Sequence, residues 1–471
     1  MIRASTTAQA SIVVLNTCTV TSGADQDARA AIRRVRRQNP NARIVVTGCY
    51  AQRAPQEVAA LPGVDLVIGN SHKHQLAQIA LAARREEWSV GPFVPLDALT
   101  LPYQSPIVDN ERPTANGQRP VFVSDIFAHT ELLAAPVFDA ANERTRPNLK
   151  IQDGCDNRCS FCVIPYVRGQ SRSLEMQRII REVNTLVDAG YREVVISGIN
   201  LGRWGRDLLQ PPSQAGEAVS QRPTTNDQRL VSLIRAILAE TTLEKLRISS
   251  VEPMDWSDDL ISLVASSPRI AKHAHVPMQS GSDAELRRMH RKYRPWHYRE
   301  KIEKIRAAMP DVAIGADVMV GFPGETDAEF EATLRMVEDL PFTYLHVFTY
   351  SPRPGTPAAE MKNQVPVHVA RERNRILREL AAEKKLTFMR SFIGKTVEAI
   401  TLNVVGRDAE GDFTEALTDN YLKLHLRGAN QPNRWVKASI TDVVSGTLAG
   451  DPSDALTVFE PRSLTPAAAA R

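Results

Sequence analysis

The chain has 471 residues, with 58 Lys and Arg against 54 Asp and Glu for a net charge of +4, and 43% of it is hydrophobic. That length exceeds one ordinary core and calls for about two to four domains. The near balance of charge excludes binding of nucleic acid by bulk charge alone, so any basic surface must come from local clustering.

No apolar run approaches the roughly 18 residues of a membrane span. The first residues, MIRASTTAQASIVVLNTC, carry one Arg and a short apolar stretch, too little for a secretory signal. A reducing cytoplasmic compartment is the expectation, where cysteines serve metals or catalysis more often than disulfides.

The amino-terminal stretch holds two similar units. SIVVLNTC is a β-branched run ending at Cys18, followed by a helical pattern that closes at Asn39-Pro40. ARIVVTGC repeats the plan and ends at Cys49, and a third run, VDLVIGN, follows. Short apolar strands alternating with helices predict a parallel α/β sheet, whose ligands gather beyond the carboxyl ends of the strands. Cys18 and Cys49 then reach one sheet edge, either as metal ligands or as small buried residues.

From about Val90 the pattern dissolves into Pro- and turn-rich sequence, read as a linker or insertion over 89–146. Six strand-like runs then alternate with helical ones: Leu149–Cys155, Glu193–Ile199, Lys245–Val251, His273–Met278, Ile314–Val320 and Tyr344–Tyr350. Six β/α units in a row predict a partial barrel over 147–365, with chemistry at its carboxyl-terminal strand ends. Leu208–Leu230 reads as a surface insertion. A basic connector helix is expected over 366–391 and a small all-β barrel over 392–460, a class that often binds RNA. The last residues, 461–471, read as a disordered tail.

GCDNRCSFC places Cys155, Cys159 and Cys162 in C-x3-C-x2-C spacing directly after the first of the six strands. Thiolates favour zinc or iron–sulfur clusters. A structural zinc site closes with a fourth Cys or His nearby, and the nearest histidine in sequence is His129. A cubane held by three cysteines, one iron left open, fits the spacing best; zinc and unrelated core thiols are the alternatives.

The C-x3-C-x2-C run at the head of six β/α units resembles the radical S-adenosylmethionine superfamily. KIQDGCDNRCSFCVIPYVRG, HVPMQSGSD, VMVGFPGET and TYSPRPGTP are similar to its methylthiotransferases, as are NTCTVT and TGCYAQ to their amino-terminal domain. The last β module is similar to a TRAM domain. Nearly the whole chain is covered, the linker, the Leu208–Leu230 insertion and the tail excepted.

The resemblance implies a [4Fe-4S] cluster on Cys155, Cys159 and Cys162, with the cofactor's methionyl amine and carboxylate on the open iron. It implies cofactor contacts at Phe161, Ser197, Gly198, Glu252, Gln279 and Gly321. The implied substrate is tRNA through its anticodon stem-loop, and the implied reaction is C-2 methylthiolation of N6-threonylcarbamoyladenosine. Related branches act on isopentenyl-adenosine or on an aspartate of a ribosomal protein, and a non-catalytic, metal-stabilised RNA-binding protein is a further alternative. Arg371, Arg375 and Arg378 of the connector (with Arg373, Lys384 and Lys385) are candidate phosphate contacts. Lys423, Arg434 and Lys437 (with Arg427) of the β module are others.

The family's amino-terminal domain uses three cysteines for a second, auxiliary cluster, and this chain supplies Cys18 and Cys49. The third is expected on an earlier strand–helix unit, for which the residues before Ser11 leave no room when a helix alone takes about 11. The expectation is an incomplete amino-terminal domain, or a lost ligand, and at most one fully occupied cubane.

Overall fold

A computed structural model describes residues 6–82, 119–128, 132, 145–208, 228–408 and 411–453. The tail, most of the 89–146 segment and most of the Leu208–Leu230 insertion lie outside the described residues. The chain forms two compact units: Met1–Leu133 with Gly154–Gln170 and Ser351–Met361, and the remainder.

The first unit is built on four parallel strands in the order β1 (Ile12–Thr17), β2 (Arg43–Gly48), β3 (Leu66–Ile68) and β4 (Val121–Phe122). Helix Ser22–Gln38 starts at Thr21, whose side chain accepts from the Ala24 amide, and ends before Pro40. Its Ala28, Ile32 and Val35, spaced at helical period, join the core with Ile44, Val46 and Val67 of the sheet. Strand β2 is buried from Ile44 to Gly48, as a central parallel strand must be.

Strand β4 corrects the sequence reading, which placed Val121 and Phe122 in the linker. The apolar pair completes the sheet beside β3, and polar contacts hold its flanks. Arg119 donates to the Ala59 and Leu61 carbonyls, and Gln52 donates to the Ser124 carbonyl at 3.0 Å. A two-residue strand among turn residues has no periodicity to detect.

The second unit contains six parallel strands. Strand β5 (Asn148–Lys150) leads to β6 (Gln152–Asp153), which pairs antiparallel with β7 (Arg172–Ser173). One three-stranded sheet runs β5, β8 (Glu193–Ser197), β9 (Lys245–Ile248); the other runs β10 (His273–His275), β11 (Ala313–Val320), β12 (Tyr344–Thr349). Bridges Leu246–Ile270 and Ser250–His275 join them into one open arc. The expected strand over Leu149–Cys155 is thus split in two and stops short of the cysteine. Gly154, at φ +73°, takes the chain out of extended backbone.

Helix Val367–Arg390 follows the arc, and a closed barrel ends the unit: β13 (Thr396–Asp408), β14 (Gly411–Thr418), β15 (Lys423–Arg427), β17 (Thr447–Pro452), β16 (Trp435–Val444). Strands β15 and β17 pair in parallel, and every other pair is antiparallel. Ala399, Leu424, Leu426, Ala438 and Leu448 fill its core.

One buried carboxyl in this unit makes stability depend on pH. Glu285 is fully buried and accepts from Ser280 Oγ at 2.5 Å. Burial, and then the neighbouring Glu325, push its carboxyl up to about 8. The folded state therefore keeps a proton that the unfolded chain releases near pH 4.5, so stability falls as pH rises toward 8. The slope reaches about 1.4 kcal/mol per pH unit. Glu285→Gln is expected to flatten the dependence, read by urea unfolding between pH 5 and 8; an unchanged slope would assign it elsewhere.

Candidate functional site

In the first unit the cysteine loop is closed by two glycines. The Cys155 amide donates to the Gly169 carbonyl at 3.1 Å, and a Cβ at Gly154 would lie 1.8 Å from the Gln170 carbonyl oxygen. Only glycine fits there. The Cys162 amide donates to the Cys159 carbonyl at 3.1 Å, folding the x2 segment into a turn, and the Ala358 amide holds the Ser160 carbonyl at 2.9 Å. Cys155, Cys159 and Cys162 are half-exposed thiols outside any disulfide, and Phe161 between them is half-buried. Between Gly154 and Gly169 there is no histidine and no fourth cysteine. Three thiols on one pinned loop fit a cluster that takes three protein ligands.

Cys18 and Cys49 meet at one edge. The register pairs Thr17 with Gly48, so each cysteine is the first residue past its strand. Gly48, at φ +102°, makes the turn into the short helix Cys49–Arg53; a Cβ there would strike the Thr17 carbonyl at 2.3 Å. Cys18 is exposed and Cys49 is buried against Val163 and Val167. Cys49 Sγ accepts from Arg168 Nε at 3.1 Å and Asn70 Nδ2 at 3.6 Å. A guanidinium and a carboxamide thus set two N–H donors on this sulfur. Two thiols do not complete a three-thiolate set, so the pair does not fit an auxiliary cluster by itself.

A buried ionic hub ties these pieces together. Asp25 receives Arg353 Nη2 at 2.5 Å, Arg53 Nη2 at 3.0 Å and Thr19 Oγ1 at 2.6 Å. Arg353 also reaches Thr19 Oγ1 at 2.9 Å. Thr19 follows Cys18, Arg53 ends the Cys49 helix, and Arg353 begins the segment that holds Ser160. Sequence reasoning missed the hub along with Arg168 and Asn70. Arg168 stood inside the quoted IPYVRG run, but nothing in its spacing announces a sulfur partner 119 residues away.

The second unit brings Ser197, Gly198, Glu252, Gln279 and Gly321 to or just past the carboxyl ends of β8, β9, β10 and β11. Several have structural partners there. Ser197 Oγ donates to Asn148, Glu252 pairs with Arg291, and the Gly321 amide donates to Glu325 Oε2 at 2.6 Å. A Cβ at Gly198 would meet Gln152, and one at Gly321 would lie 2.5 Å from Ala370 Cβ, so helix packing already requires that glycine. Gln279 is left-handed at φ +64°, with a buried Oε1 that has no hydrogen-bond partner. Of the five it is the one with a buried, unpaired polar side-chain atom.

The basic residues divide. Arg371 and Arg378 on the Val367–Arg390 helix, and Lys423, Arg434 and Lys437 on the closed barrel, are exposed. Arg375 is exposed but held by Glu372 and Glu379 at 2.6 and 2.7 Å. Arg373 corrects the expectation: it is buried, with Glu325 and Asp327 each at 2.6 Å, and anchors its helix. Lys384 likewise donates to the Glu338 carbonyl, and Arg427 faces Asp451 at 3.6 Å.

A cavity of about 650 Å³ lies between the strand arc and the closed barrel of this unit. Arg146, Arg247, His273, His275, Tyr344, His346 and Tyr421 line it. Burial, and then Arg247, lower the His273 imidazole well below its ordinary range, so it meets the Tyr344 hydroxyl at 2.7 Å as a neutral ring.

Among the described residues, no helix is long and apolar enough to cross a membrane. Residues 149–337 match the radical SAM superfamily, and residues 1–69 match the uncharacterized protein family UPF0004. The threonylcarbamoyladenosine tRNA methylthiotransferase MtaB of Bacillus subtilis is 35% identical over 422 residues, 89% of this chain and 82% of the relative. MtaB of Aquifex aeolicus is 34% identical over 92% of this chain and 91% of its own length. The tRNA-2-methylthio-N(6)-dimethylallyladenosine synthase of Endomicrobium trichonymphae is 31% identical over 95% and 92%. With the three-cysteine loop and the six-strand arc, matches of this extent make the chain a member of the radical SAM methylthiotransferase family, and an enzyme of that class.

Proposed function

We propose that this enzyme places a methylthio group on C-2 of N6-threonylcarbamoyladenosine, the adenosine beside the anticodon of tRNA. The likeness to two enzymes named for that base, at 34–35% identity over most of both chains, carries the reading. Cys155, Cys159 and Cys162 would hold the [4Fe-4S] cluster with S-adenosylmethionine. When bound, that pair supplies the radical chemistry needed at a ring C–H bond that acid–base groups cannot activate. The chain's own part is to fix the loop that would hold the cluster and cofactor, and to admit a base drawn out of its stack.

Arg371, Arg378, Lys423, Arg434 and Lys437 would follow the phosphates; each is exposed. No step is assigned to Cys18 and Cys49.

The dimethylallyladenosine reading has the support of one relative at 31% identity. Mass spectrometry of tRNA nucleosides separates the two. A deletion strain should accumulate threonylcarbamoyladenosine lacking the methylthio group, and the gene should restore it. Loss of the mark from dimethylallyladenosine would favour the second substrate, and unchanged tRNA would reject both.

A further inference from the structure

We propose that His275, Asp317 and His346 form a divalent-cation site on the strand arc, with an open coordination position toward the cavity. The three residues stand on adjacent parallel strands. Register pairs His275 with Gly315 and Asp317 with His346, so alternation puts all three on one face. His275 Nε2 and His346 Nδ1 each lie 3.3 Å from Asp317 Oδ1, and the three donor atoms fall within 4.8 Å of one another.

That spacing is long for a hydrogen bond, which runs at roughly 2.7–3.2 Å. Two donors each about 2.0–2.1 Å from one ion, at a tetrahedral angle, are separated by about 3.3–3.4 Å. His275 Nε2 is buried, and the polar atom set against it is Asp317 Oδ1 at 3.3 Å. The scaffold is firm: the Asp317 carbonyl accepts from the Met278 and Gln279 amides at 3.1 and 2.8 Å. His346, with its side chain 62% exposed, leaves a path for the ion.

Two imidazoles and one carboxylate suit zinc, or ferrous iron and manganese, and three protein ligands are the mark of a site that keeps a place for something else. His275 and His346 line the 650 Å³ cavity together with Arg146 and Arg247. Both arginines face Glu193, at 4.0 and 2.5 Å, and a cation on this lining selects an anionic oxygen ligand. The threonyl carboxylate of the modified adenosine is such a group, an extension that rests on the substrate proposed above; the ion site itself does not.

The test uses cluster-loaded enzyme without RNA, so its outcome is independent of the substrate. The protein, washed with a chelator, is dialysed against limiting Zn²⁺, and zinc and iron are measured together. Unsubstituted enzyme should take up one zinc more than His346→Ala or Asp317→Asn, with iron equal in all three. The loss in zinc affinity should exceed the roughly 10–100-fold that removing an outer partner costs. His346 is largely exposed, so its replacement leaves the packing of the arc in place. Equal zinc in the three proteins, or none in any, overturns the site.

Discussion

Alanine at Cys159 is expected to abolish methylthio transfer and to remove the iron held by the three-cysteine loop. The loop supplies three thiols and no alternative donor: Gly154 to Gly169 contains no histidine and no other cysteine. A cluster held at two points has lost one of its protein ligands, so activity should fall to background rather than by a modest factor. Iron and sulfide analysis beside a tRNA methylthiolation assay reads both effects. The unsubstituted chain should show at most one fully occupied cubane, since Cys18 and Cys49 are two thiols. Two intact clusters would mean that a ligand comes from elsewhere, and activity surviving in the Cys159→Ala protein would remove the loop from the chemistry.

Alanine at Asp25 is expected to cost about 3–5 kcal/mol, the penalty for deleting one partner of a buried ion cluster. Asp25 and Arg353 are 6% and 2% exposed, so the Arg353 charge would be left with no carboxylate and little water. Arg53 would keep its hydrogen bond to Thr19 Oγ1 at 2.8 Å and a distant carboxylate, Glu57, at 3.9 Å. Denaturant unfolding measures the loss. Adding Arg353→Met to Asp25→Ala should recover part of it, because the uncompensated charge goes as well. A cost under about 1 kcal/mol would place this cluster among ion pairs of surface strength.

Much of the architecture was legible because its signals are local. C-x3-C-x2-C is complete within eight residues, and the apolar runs at Ile12, Ile44, Glu193, Lys245 and Ile314 each announce a strand by composition alone. The placement of Cys18 and Cys49 at one edge followed from strand order, and the register bears it out. What was not legible depends on pairing across distance. His275, Asp317 and His346 converge only once three strands are set side by side, and each looks ordinary in its own run. Arg373 reads in sequence as one more candidate phosphate contact, because a helix pattern shows which face is basic, not which arginine finds Glu325. Strand β4 was hidden for the opposite reason: two apolar residues are too few to carry a period.

The salt link between Asp25 and Arg353 spans 328 positions of sequence. The first unit also takes in Gly154–Gln170 and Ser351–Met361, so its last piece leaves the ribosome after every strand of the arc has been made. An amino-terminal sheet can form early from its own β1–β3 contacts, but the edge bearing Cys18 and Cys49 cannot lock until residue 353 arrives. Contacts of such separation carry a large loop-closure cost and form late. The order of assembly is therefore written into this pair: the amino-terminal edge closes only after the arc exists.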